Sequence, residues 1–277
     1  MELLQKNRCF KGEQRIYGFH SEKLRGETKF GIFLPEKALK GESCAALYYL
    51  AGLTCTEETF VIKAHAQRLA DELGLILITP DTSPRGEGVA TGDSWDLGIA
   101  AGFYINATQQ PWASHYQMQS FLMEELYPSI LANFPVDAEK IGVFGHSMGG
   151  HGALTLAYKY PEKFKSVSAF APICAPSQCP WGEKAFGHYL GPNKADWLAH
   201  DAVELVKSKG PLFSDILIDQ GLDDQFYFQL NPKLYQQACD QVGQKLTLRE
   251  HDGYDHGYFF IQTFIDDHLN YHHKKLV

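Results

Sequence analysis

Apolar residues fall along this chain in short runs of strand length, separated by stretches with helical spacing. Gln14–His20 and Lys29–Leu34 read as the first two strands, the second stopped by Pro35. Cys44–Gly52 (CAALYYLAG) is nearly all apolar, as expected of a strand covered on both faces. A helical pattern over Phe60–Glu72 leads to another buried strand, Leu75–Thr79, ended by Pro80. Asp81–Ser114 is long, irregular and rich in Gly, Asp and aromatic residues. Loops of that length carry function or hold small local elements. Helical spacing resumes at His115–Phe134. Lys140–Phe144 reads as a strand, Gly149–Tyr160 as a helix and Ser166–Phe170 as a strand. Ala171–Asp201 is a second irregular excursion. Asp215–Gln220 and Lys245–His251 are the last strands, with helices at Pro232–Gln241 and Tyr258–His272.

Strands alternating with helices predict an α/β fold: a mostly parallel sheet with helices on both faces. No repeat, linker or shift of composition divides the chain, so residues 1-277 are expected to form a single domain. The two irregular stretches are then insertions over the active edge of the sheet.

Composition removes several alternatives. The net charge is −8 and no basic tract stands out, which argues against nucleic acid or an anionic membrane as partner. No apolar run approaches the length of a membrane span, and Met1–Gln14 lacks the run of a signal peptide. The expected location is therefore cytoplasmic. The six cysteines then read as reduced thiols, and Cys174/Cys179 lack a second pair at zinc-ligand spacing. Neither a cofactor nor a metal is expected.

Gly145-His146-Ser147-Met148-Gly149 fits G-x-S-x-G. Its position matters more than the pattern, because it joins a buried strand to a helix opening, where a nucleophile elbow belongs. A neutral serine hydroxyl needs a base, and the base needs an orienting acid. In the α/β-hydrolase fold they follow in the order Ser, acid, His. Asp223 and Asp224 both leave the strand Asp215–Gln220; Asp224 is the choice by its spacing from Gly221, with Asp223 the alternative. His256 lies on a loop after the last strand, between Gly253 and Gly257, and is the candidate base. His268, His272 and His273 read as surface groups of the terminal helix. His146 and His151 read as packing or loop-bonding residues. The oxyanion donors expected by position are the backbone amides of Met148 and Leu53.

These residues lie in strings that resemble S-formylglutathione hydrolase, the esterase D family. They include GLTCTEETF (Gly52–Phe60), PDTSPRG (Pro80–Gly86), DSWD (Asp93–Asp96), AGFY (Ala101–Tyr104) and GHSMGGHGA (Gly145–Ala153). SVSAFAPIC (Ser166–Cys174), CPWG (Cys179–Gly182), ILIDQG with DDQF (Ile216–Phe226) and GYDHGYFF (Gly253–Phe260) extend the resemblance over nearly the whole chain. It implies a cytosolic homodimer that cleaves S-formylglutathione to formate and glutathione, the last step of glutathione-dependent formaldehyde detoxification. By motif position it implies Ser147 as nucleophile, His256 as base, Asp224 as orienter, and Leu53 and Met148 as oxyanion donors.

A formyl group is small, so a narrow acyl pocket is expected, with Trp95, Phe103 and Trp181 as candidate walls. The substrate is anionic while the chain is acidic, so a local basic patch is expected from Lys63, Arg85 or Lys184. The competing readings are a general carboxylesterase or acyltransferase, a non-catalytic scaffold, and a metal-dependent hydrolase using acids and histidines around His251–His256.

Overall fold

The computed structural model describes residues 1–277. One nine-stranded sheet runs through it: β1 (Glu2–Cys9), β2 (Gly12–Ser21), β3 (Gly26–Leu34), β4 (Cys44–Leu50), β5 (Ile76–Pro80), β6 (Val136–His146), β7 (Ser166–Phe170), β8 (Ile216–Gly221) and β9 (Leu246–His251). Their spatial order is β1-β2-β3-β5-β4-β6-β7-β8-β9. β4 to β9 pair in parallel, whereas β1, β2 and β3 add an antiparallel ribbon against β5. This is the predicted α/β-hydrolase architecture.

Every residue of β4, β5, β7 and β8 is buried, because helices cover both faces of the parallel half. Nearly all their apolar side chains belong to one continuous core that extends from Leu24 to Leu276. The elbow helix, Met148–Lys159, is buried over nearly all its length, so it has no polar stripe to reveal it by periodicity.

Four features differ from the sequence expectations. β1 was not predicted: it is an edge strand whose residues are nearly all exposed, so nothing imposes alternation. The Phe60–Glu72 helix is two helices, Glu57–Lys63 and Gln67–Leu73, broken where His65 turns left-handed at φ 57°. The pattern hides the break because Phe60, Ala64, Ala66 and Ala70 are all buried. Phe121–Leu126, within His115–Phe134, is wound as a π-helix. The Ala171–Asp201 excursion contains a proper helix, Pro180–Tyr189, started by Pro180 at its first position.

His268 and His272 correct a further expectation, since both are fully buried. They lie one turn apart on the terminal helix, Tyr258–Leu276, and face Ser166 and Ser168 of β7. Ser168 Oγ lies 2.8 Å from His268 Nδ1 and 2.8 Å from His272 Nε2, and Ser166 Oγ lies 2.6 Å from His272 Nδ1. Helical and strand periods thus bring an i, i+4 pair of histidines onto an i, i+2 pair of serines. No helix is long and apolar enough to cross a membrane.

Candidate active site

β6 ends at His146 and the elbow helix starts at Met148, so Ser147 forms the whole turn. It sits at φ 57°, ψ −118°, a conformation that L side chains rarely adopt. The turn is held from both sides. The Ser147 amide donates to the Phe170 carbonyl at 3.0 Å, and its carbonyl accepts from the His151 and Ile173 amides. A Cβ at Gly145 would collide with the Gly149 backbone, and one at Gly149 with the Leu50 backbone. This crowding explains the glycines of the motif.

The acid loop leaves β8 and the histidine loop leaves β9, the neighbouring strand. They are joined directly: the Leu222 amide donates to the His251 carbonyl at 2.9 Å, and the Asp223 amide to the Tyr254 carbonyl at 3.0 Å. Asp224 Oδ2 lies 2.6 Å from His256 Nδ1 and accepts from Gln220 Nε2 at 3.1 Å, while Oδ1 accepts from the Phe226 amide at 2.8 Å. The Asp224 carboxylate is buried, whereas Asp223 is exposed. The pairing falls to Asp224 because its side chain turns inward under the histidine loop.

The His256 ring lies between His146, 4.5 Å away by centroids, and Phe226, edge-on at 5.2 Å. His146 is buried, and burial, with His256 beside it, holds it well below the usual imidazole range. It therefore packs as a neutral ring, as expected. His151 is also buried and held down to about 3, with Nε2 3.1 Å from the Phe103 carbonyl.

Ser147 and His256 line one cleft of about 420 Å³, without a hydrogen bond between their side chains in this conformation. Leu53, Thr54, Cys55, Thr59, Lys63 and Tyr258 also line it, as do Trp95, Trp181 and Phe226. The Leu53 amide donates to no protein acceptor, while the next amide, Thr54, is taken by the Ala100 carbonyl at 3.0 Å. Met148 is first in its helix, so no intrahelical acceptor precedes its amide. Leu53, on the loop after β4, lines the cleft, and Met148 opens the elbow helix.

The aromatic candidates divide. Trp95 meets Trp181 edge-on at 5.8 Å, and Trp181 meets Phe226 at 4.7 Å. Phe103 is not in the cleft: it is fully buried against His151 and Phe186 under the elbow helix. Phe226, absent from the expected walls, takes that place; its position two residues after Asp224 was the available signal.

The cationic candidates divide too. Arg85 pairs with Asp81, and Lys184 with Asp96 at 2.6 Å. Lys63 faces the cleft without a carboxylate partner, 5.7 Å from the centre of the Tyr258 ring. Cys55 is partly buried, and burial raises its thiol pKa, so it stays protonated. His251 leaves the site altogether, stacking on Phe264 and approaching Asp219. No group of three or more His, Cys, Asp or Glu side chains is arranged to hold a metal ion.

Comparison with known proteins agrees over the whole chain. The "Putative esterase" family model matches residues 21–271. S-formylglutathione hydrolase from Rattus norvegicus is 52% identical over 281 residues, covering 100% of this chain and 99% of the relative. Its Mus musculus counterpart is 50% identical, with the same coverage. The solved S-formylglutathione hydrolase from Agrobacterium tumefaciens superposes with a TM-score of 0.97 at 46% identity, covering both chains completely. Half-identity from end to end, on a shared backbone, makes this chain a member of the S-formylglutathione hydrolase family of esterases.

Proposed function

We propose that the chain hydrolyses S-formylglutathione to formate and glutathione through a formyl-enzyme on Ser147. One observation carries this reading: an elbow serine, a His256–Asp224 pair and an unpartnered Leu53 amide converge on one cleft.

In the first half, Ser147 Oγ attacks the formyl carbon and His256 Nε2 takes its proton. The oxyanion lies between the Leu53 and Met148 amides. Asp224 holds the His256 tautomer and stabilises the imidazolium. The C–S bond then breaks, and the glutathione thiolate takes the proton from His256. A thiol of pKa roughly 8.5 is a good leaving group, so this step needs less acid assistance than an amide would. In the second half, water attacks the formyl ester while His256 accepts its proton. Ser147 Oγ leaves and is reprotonated, and formate is released.

The three groups come from the ends of β6, β8 and β9, which supports residues 1-277 acting as a single domain. No step calls for a cofactor. The proposal includes a homodimer in the cytosol, supported by the family resemblance; light scattering reads the first and fractionation the second.

The deciding experiment compares wild type with Ser147→Ala, Asp223→Asn and Asp224→Asn on S-formylglutathione, reading thiol release. Loss in the Ser147 and Asp224 variants, with Asp223→Asn active, is expected. Faster turnover of long acyl esters than of S-formylglutathione by wild type would overturn the substrate assignment.

A further inference from the structure

Arg85 was expected to attract substrate, but its contacts point elsewhere. Its guanidinium bridges two partners. Nε donates to Asp81 Oδ2 at 2.7 Å and Nη2 to Asp81 Oδ1 at 2.9 Å, while Nη2 also reaches the Cys55 carbonyl at 3.1 Å. Thr82 Oγ1 donates to the same carbonyl at 2.5 Å. Asp81 directly follows β5, is buried, and accepts from the Thr82 amide at 2.7 Å. The Cys55 carbonyl is thereby tied to the end of the sheet.

The tie has something to restrain. Thr54, one residue earlier, is left-handed at φ 67°, where a β-branched residue is strained. Leu53 precedes it, with its amide unpartnered. The loop is also anchored upstream, where Tyr104 donates its hydroxyl proton to the Ala51 carbonyl at 2.8 Å, and at the Thr54 amide. If the downstream anchor is released, Thr54 can relax to φ < 0, which turns the Leu53–Thr54 peptide and shifts Leu53, whose own amide lies one peptide upstream.

We infer that Arg85, with Asp81 and Thr82, is a positioning residue that aims the Leu53 amide at the developing oxyanion. The inference rests on the proposed role of Leu53. It assigns Arg85 no contact with substrate. It also explains why an arginine stands here: only its fork reaches a carboxylate and a carbonyl together.

The test uses Arg85→Gln, with rates normalised to the active sites titrated by a serine-directed fluorophosphonate. Losing an oxyanion donor costs about 100- to 1000-fold in kcat, and displacing one costs less. The expected result is a fall in kcat of roughly 10- to 100-fold with KM little changed. Inhibition by methylboronic acid, which forms a tetrahedral adduct on the serine, should weaken by a similar factor. Millimolar guanidinium should restore part of kcat in this variant and none in Arg68→Gln, which breaks a surface pair with Glu72 and Asp266. Should Arg85→Gln fail to fold, Arg85→Lys keeps a cation beside Asp81 and must still lose kcat and boronate affinity together. Unchanged kcat, or a loss confined to KM, would overturn the inference. Failure of methylboronic acid to inhibit wild type would instead count against the oxyanion reading itself.

Discussion

His256 Nδ1 lies 2.6 Å from Asp224 Oδ2, while the adjacent Asp223 is exposed and uses its backbone amide to bind the Tyr254 carbonyl. The two neighbouring acids thus have separate jobs. One orients the imidazole, and the other's backbone helps to dock the acid loop onto the histidine loop. Asp224→Asn should therefore lower kcat/KM by roughly 1000- to 10000-fold, because the amide cannot hold the same tautomer. Asp223→Asn should stay within about threefold of wild type, since its carboxylate is only a solvated surface group. Steady-state kinetics on S-formylglutathione separates the two; equal losses would remove the distinction.

Lys63 is the cleft cation without a carboxylate partner, and glutathione carries two carboxylates. Lys63→Gln should raise KM for S-formylglutathione roughly two- to fivefold, the range of an exposed ion pair. It should leave KM for p-nitrophenyl acetate unchanged, because that ester is neutral. High salt should narrow the difference for wild type. A variant with equal effects on both substrates would count against a charge contact.

Trp181 bridges Trp95 and Phe226 in the cleft wall. Trp181→Ala should open space beside Ser147 and shift the ratio of butyryl to acetyl ester turnover upward, by roughly tenfold or more. Esters of graded acyl length read this directly. If the ratio stays fixed, the wall faces the leaving group instead of the acyl group.

Stability should fall in mild acid. Burial holds His146, His151, His268 and His272 below the usual imidazole range, His151 at about 3. In the unfolded chain the same groups titrate near roughly 6.5. Below that pH the unfolded state binds more protons than the folded one, so stability is lost as pH drops from about 6.5 towards 3. Each histidine contributes a slope of about 1.4 kcal/mol per pH unit once its unfolded form is charged. Urea midpoints at pH 7.5, 6 and 5 should decline with the uptake of more than one proton. A midpoint that does not move over this range would contradict the buried neutral state.

Much of the parallel half was readable from residue order, because its central strands are buried on both faces and are largely apolar. β7 was bounded correctly at Ser166–Phe170, and β4, β5, β6 and β8 within a few residues. β1 escaped because an exposed edge strand obeys no burial pattern. The split at His65 escaped because a left-handed residue leaves no apolar signature. At the site, the place of Ser147 in the elbow turn and of His256 on the loop after β9 was legible through glycine spacing and strand order. Phe226, and the separation of Lys63 from Arg85 and Lys184, depended on which side chains met in space.

What the chain determined by itself was therefore order and chemistry: an elbow that only glycine neighbours permit, then an acid, then a histidine on successive strand ends. What tertiary structure decided was direction. Asp223 and Asp224 are identical in type and adjacent, and spacing from Gly221 favours Asp224 while leaving Asp223 open. They differ because the acid loop docks onto the histidine loop and turns one carboxylate into a buried hydrogen-bonded site and the other into water. The same holds for His268 and His272, where helix and strand periods made a buried polar seam from residues whose place on the terminal helix read as surface.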